Sequence, residues 1–134
     1  MKLIDAVNEA NNLKPNFYEL PEKIKWLSRL DRRIFDDILM THELNEEEQE
    51  PFIRAEGEEP KFMDYTEEDQ DTELIVGAPY DEMYVLWLSA QIDWNNREIV
   101  GFNNSNAMFE SVYKQFQNAY NRSHMPKGCE KRYF

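Results

Sequence analysis

One cysteine, two histidines and four glycines in 134 residues exclude several kinds of protein at once. Cys129 has no partner for an internal disulfide, so the chain is not a disulfide-framed miniprotein and suits a reducing compartment. No apolar run approaches the roughly 20 residues that span a bilayer, and Met1-Lys2-Leu3-Ile4-Asp5 does not open a charged-then-apolar leader; no membrane partner is expected. Glycine is too sparse for a phosphate-cradling loop or a nucleophile elbow, and His42 and His124 are too far apart for a helical His-x-x-x-His metal site. Cys129 lies five residues from His124, but no third group to orient them is visible. The sequence therefore predicts no catalytic residue, metal ligand set or cofactor. Cations are scarce too: 15 Lys and Arg face 27 Asp and Glu, a net charge of -12, which argues against phosphate-driven nucleic-acid binding.

The acidity is local. From Thr41 to Glu82 sixteen carboxylates face only Arg54 and Lys61, a net of -14, so the rest of the chain carries +2. Such a segment reads as a solvated connecting arm, as a negative lining of a ring bore or a neighbour contact, or as a DNA mimic. A calcium loop fits poorly: Asp69, Asp71 and Glu73 alternate, but Leu74 stands where the loop needs glycine and Tyr80 where it needs glutamate.

What is plentiful is apolar and aromatic residues, 41% and 13% of the chain, enough for one domain over 1–134 with a real core. Met83, Leu86, Trp87, Ala90 and Trp94 recur at helical spacing, and Val85, Leu88 and Ile92 add a second stripe. That leaves Ser89, Asp93 and Asn96 as a polar edge. Such a helix needs neighbours on two sides. Pro79 suits its first position, with Asp81 and Glu82 at the positive end of the dipole; Asn95-Asn96 or Gly101 ends it. A second helix from about Ser105 to Tyr120, capped from among Asn103 to Asn106, puts Phe109, Val112, Tyr113, Phe116, Ala119 and Tyr120 on one face.

Upstream, Leu3, Ala6, Val7, Ala10 and Leu13 mark a helix stopped before Pro15. Another starts at Pro21 with a stripe of Leu20, Ile24, Leu27, Ile34 and Ile38. Its outer face carries Lys25, Arg29, Arg32 and Arg33, with Arg32–Asp36 and Arg33–Asp37 at pairing distance. The expected core includes Leu27, Ile34, Leu86, Trp87, Phe109, Val112 and Phe116, with Trp26 and Trp94 also inside rather than forming a ligand cage. The fold class is thus mainly α: a small helical bundle of about four helices, with an extended acidic arm or short β elements over 41–78 between the second and third. Phe52-Ile53 and Leu74-Ile75-Val76 read as strand-like runs of an arm that projects to meet an adjacent copy, facing Arg29, Arg32 and Arg33. The 123–134 tail is basic and aromatic: Lys127, Lys131 and Arg132 outnumber Glu130, and Tyr133 and Phe134 follow. It reads as a frayed end or as a docking peptide.

The order and spacing of several runs carry a resemblance. They are Lys25-Trp26-Leu27-Ser28-Arg29-Leu30-Asp31 with Arg33-Ile34, Thr41-His42-Glu43, Asp71-Thr72-Glu73-Leu74-Ile75-Val76 and Pro79-Tyr80. Ala90-Gln91-Ile92-Asp93-Trp94, Glu98, Phe102-Asn103-Asn104-Ser105, Met108-Phe109, Tyr113, Phe116 and Tyr120-Asn121-Arg122 continue the series. The chain resembles the head-to-tail connector (adaptor) proteins of tailed phages and prophages, except in the middle insert and the last residues. Arg32 stands where that family often has a small residue. The resemblance implies a virion structural protein, assembled in the bacterial cytoplasm, at the head–tail interface. Its homo-oligomeric ring, a dodecamer following the portal, would join the portal protein to a tail-side stopper or tail-terminator protein and pass DNA without binding it specifically. It also implies a portal contact made by Arg122, His124, Met125, Lys127, Lys131, Arg132, Tyr133 and Phe134. The competing reading is an acidic DNA mimic with anti-restriction activity.

Overall fold

The computed structural model describes residues 1–53 and 55–127. It is mainly helical, a small bundle of α1 (Leu3–Leu13), α2 (Leu20–Asp37), the single-turn α3 (Glu46–Gln49), α4 (Glu82–Asn95) and α5 (Ile99–Ser123). Among the described residues there is no strand, only isolated bridges between Lys2 and Glu73 and between His42 and Pro126. No helix among them is long and apolar enough to cross a membrane.

α4 is central and touches α1, α2 and α5, which is why its sequence is apolar almost all round. Met83, Tyr84, Leu88 and Ile92 are buried there against Leu3, Leu27, Leu30, Ile34 and Phe109. Among the expected core residues, Leu27, Ile34, Phe109 and Val112 are buried, while Leu86, Trp87 and Phe116 pack half-buried at its margin. The Trp87 indole N–H is satisfied by the Trp26 carbonyl at 2.9 Å.

α4 reverses into α5 through a Schellman turn: Glu98 N–H donates to the Asp93 carbonyl at 2.8 Å and Arg97 N–H to Trp94 at 3.1 Å. Arg97 takes the left-handed position usually held by glycine, with φ 60. Asn96 therefore ends α4, and Gly101 lies inside α5. The expected caps at Asn103 to Asn106 are interior residues of α5, which starts six residues earlier than the sequence suggests. Gly101 allows that start: a Cβ there would lie 2.8 Å from an Asp93 carboxylate oxygen.

Other expectations are corrected. Pro79 precedes α4 by a turn, and Asp81 is the N-cap. Trp94 is 62% exposed while Ser89 and Asp93, expected on a polar edge, are buried. An all-apolar helix has no preferred direction, so periodicity could not tell which edge stays wet. Leu13 is exposed as well. Arg32 pairs with Asp64, not Asp36, and Arg33 lies 4.5 Å from the Tyr113 ring centroid.

Segment 41–81 does not project. It folds back along α2 and buries Phe62, Leu74 and Val76. Its carbonyls also complete α1, whose first N–H groups lack intrahelical acceptors: Leu3 and Ile4 donate to Thr72 and Gln70 at 2.9 and 3.0 Å.

Candidate functional site

The folded-back segment is pinned by a carboxylate on the buried face of α2. Asp31 is fully buried, one turn after Leu27, and no cation pairs with it among the described residues. Its oxygens accept from the Tyr84 hydroxyl at 2.6 Å, the Ile75 N–H at 3.2 Å and the Tyr65 hydroxyl. The Tyr84 oxygen in turn accepts from Val76 N–H at 2.8 Å. Three elements thus meet at one side chain. Burial pushes the Asp31 carboxyl up to about 6, against the pull of its three donors. Burial and the neighbouring Asp31 charge raise Tyr65 and Tyr84, so both remain protonated donors. Ser28 adds a second fastening, accepting from Tyr65 N–H at 3.1 Å and donating to Asp64 at 3.0 Å. Asp64 also accepts from Arg32, whose guanidinium holds that carboxyl below its usual range.

Between this fastened stretch, α3 and α5 lies a groove of about 900 Å³. Leu44, Phe52, Met63, Ile75, Phe116 and Tyr120 give it apolar walls; Glu47, Glu48, Asp69 and Glu73 stand among them as carboxylates. The α3 side is locally determined. Asn45 and Glu48 form a capping box, at 2.9 and 3.2 Å, and three glutamates lie in the first turn, where the helix dipole favours them.

The chain's two histidines converge beside the groove. His42 is buried, within hydrogen-bonding distance of the Ile38 carbonyl and Asn121 Oδ1 at 2.6 and 2.7 Å. His124 stacks on Tyr120 with centroids 3.9 Å apart and pairs with Glu48. Burial works against ionising Glu48, but bonds from His124 and the Asn45 N–H outweigh it and lower its pKa. Burial and the Glu48 charge push the Tyr120 hydroxyl up to about 12. The chain leaves this junction by pairing with residues 41–43, just beyond α2: Glu43 N–H donates to the Met125 carbonyl and Lys127 N–H to that of Thr41, both at 2.8 Å.

The opposite end of α5 is apolar and open. Trp94, Ile99 and Val100 are 62%, 68% and 76% exposed. Leu13 and Phe17 are exposed at the same end, because Lys14 binds the buried Asp93 and the Tyr18 hydroxyl donates to Asn96 at 2.8 Å.

The expected contact residues therefore divide. Arg29, Arg32 and Arg33 are exposed, but Arg32 and Arg33 already engage Asp64 and Tyr113. Phe52 and Ile75 are half-buried and Ile53 is exposed, whereas Leu74 and Val76 lie inside the subunit's own core and offer nothing to a neighbour. Of the tail, Arg122 and Lys127 are exposed, while His124 and Met125 are half-buried in the junction. Lys131, Arg132, Tyr133 and Phe134 lie outside the described residues. Sequence reading missed Asp31, Asp93 and Glu48. The available signal was an acidic residue at the buried phase of a helix, Asp31 after Leu27 and Asp93 after Ala90. No protein-family model, curated protein or solved structure matches this chain.

Proposed function

We propose that this protein is a structural subunit of a ring that joins the portal of a tailed-phage head to the tail and continues the channel through which DNA passes. The reading rests on the resemblance in its motif runs and on one feature of the molecule, two dissimilar open surfaces at the two ends of α5. One is the apolar end around Trp94, Ile99 and Val100; the other is the carboxylate-bearing groove beside Phe116 and Tyr120. The 18 helical steps from Phe102 to Tyr120 separate them by roughly 27 Å at the helical rise. A ring closes by heterologous contacts, in which one patch meets a different patch on the next copy, and two separated surfaces meet that need.

The test is to mix the purified chain with a portal protein from the same genome and weigh the products by native mass spectrometry. The reading expects a discrete assembly holding many copies of this chain on one portal ring, twelve if the portal's symmetry is followed. A chain that stays free at tens of micromolar would contradict it. Stoichiometric binding to a restriction endonuclease, added in a parallel mixture in place of the portal, would favour the DNA mimic.

A further inference from the structure

We propose that the groove between α3, the 62–75 stretch and α5 is a receptor for residues 127–134 of a second copy of this chain. The chemistry of the two is complementary. Its walls expose Met63 and part of Phe52, Ile75 and Phe116 beside Glu47 and Asp69, which pair with no cation among the described residues, and beside Glu48 and Glu73, which pair with His124 and the Met1 amine. Residues 127–134 supply Lys127, Lys131 and Arg132 against the single acidic Glu130, next to Tyr133 and Phe134. Apolar walls accept aromatic rings, and carboxylates beside them select cationic neighbours and oppose acidic ones. A volume of about 900 Å³ is ample for the two rings and the aliphatic stems of the cations.

The direction of the chain points to another copy rather than to the groove's own tail. The antiparallel pairing at His42 and Pro126 carries the backbone from beside Glu43 at residue 125 to beside Thr41 at residue 127. That is away from Leu44, Glu47 and Glu48 on the groove. A chain of eight residues can span at most about 26 to 29 Å, a reach that admits an adjoining molecule. Each copy then gives a segment and receives one, a heterologous contact that can propagate from copy to copy. It assigns the tail a receptor other than the portal, and it does not depend on the phage reading, since copies of this chain alone suffice.

The native thiol reports on the contact. Met63→Cys puts a second thiol on the exposed groove wall, and Ala107→Cys puts one on an exposed part of α5 outside it. Full-length protein is prepared in normal and nitrogen-15 forms, mixed, oxidised with diamide and mapped by peptide mass spectrometry. The proposal expects links between Cys129 and the introduced thiol in Met63→Cys at about ten times the yield in Ala107→Cys. They should join light to heavy copies and fall about ten-fold when Tyr133→Ala and Phe134→Ala are added. Equal yields from the two positions, links confined to one copy, or indifference to the aromatic substitutions would overturn it.

Discussion

The α4–α5 pair and the 41–81 segment hold their shapes by different means. The pair is fastened by apolar contact along two long helices, with Phe109 buried 5.1 Å from the Trp87 ring centroid and 5.7 Å from that of Tyr113. The segment has few apolar anchors, chiefly Phe62, Leu74 and Val76, and relies on donors that converge on Asp31 and Ser28. Apolar packing is distributed, so one lost contact weakens the pair by degrees. A buried polar hub is concentrated, because each group left without its partner costs its full desolvation. The molecule can thus keep its helical frame while its acidic segment depends on a handful of atoms.

The largest effect should come from the distributed region. Phe109→Ala removes a fully buried ring and should cost about 3 to 5 kcal/mol in denaturant unfolding. A change near zero would mean that the two helices do not share a core.

Asp31 should show the concentrated region through pH. Its folded carboxyl titrates at about 6 and the unfolded one near 3.8, so the native state binds the proton more tightly. Stability should fall as pH rises from about 4 to about 6, by roughly 3 kcal/mol from this group, and Asp31→Asn should remove that slope. Glu48 and Asp64 have the opposite sign, losing stability as pH falls, but both are partly solvated and belong equally to parent and variant, so the difference curve isolates Asp31. Parallel curves would show that burial does not raise this carboxyl in the folded protein.

At the junction of α4 and α5, Gly101→Ala must push the Asp93 carboxylate away from its place with Lys14 and should cost about 1 to 3 kcal/mol. Lys14→Met in the same background should recover part of a shared loss; full additivity of the two changes would separate the sites. The smallest effect is a gain. Arg97→Gly relieves a left-handed residue and should raise stability by up to about 1 kcal/mol in thermal unfolding, with a loss there speaking against the Schellman turn.

The same contrast governs what could be read from the sequence. The periodicity of Leu3 to Leu13 and of Leu20 to Ile38 locates two helices almost to the residue, because a one-sided apolar stripe has a direction. α4 lacks one, and its wet edge was misplaced. The first turns of α5 are masked by glycine and asparagine, which are poor helix formers, and the glycine is set by tertiary fit, since Gly101 crosses Asp93. The groove was the least legible part. Its walls come from segments tens of residues apart: hydrogen bonds to Asp31 hold the 65–75 wall, while His124 with Glu48 and His42 with Asn121 tie the 42–48 stretch, α3 included, to α5, and only its place at the buried phase of α2 marks Asp31 in the sequence.

The central claim, that the acidic segment is fastened to its own bundle through Asp31, is tested most directly by amide hydrogen exchange on the free subunit. The amides of Tyr65, Ile75 and Val76 donate to Ser28, Asp31 and Tyr84, so they should be protected in the unassembled protein. In Tyr84→Phe, where Asp31 and the Val76 amide each lose a partner, the protection of Ile75 and Val76 should fall by about ten-fold or more, or about 1 to 3 kcal/mol, while Leu88 and Val112 keep more of theirs. Unstructured-chain exchange rates at Ile75 and Val76 in the parent protein, with α4 still protected, would contradict the account.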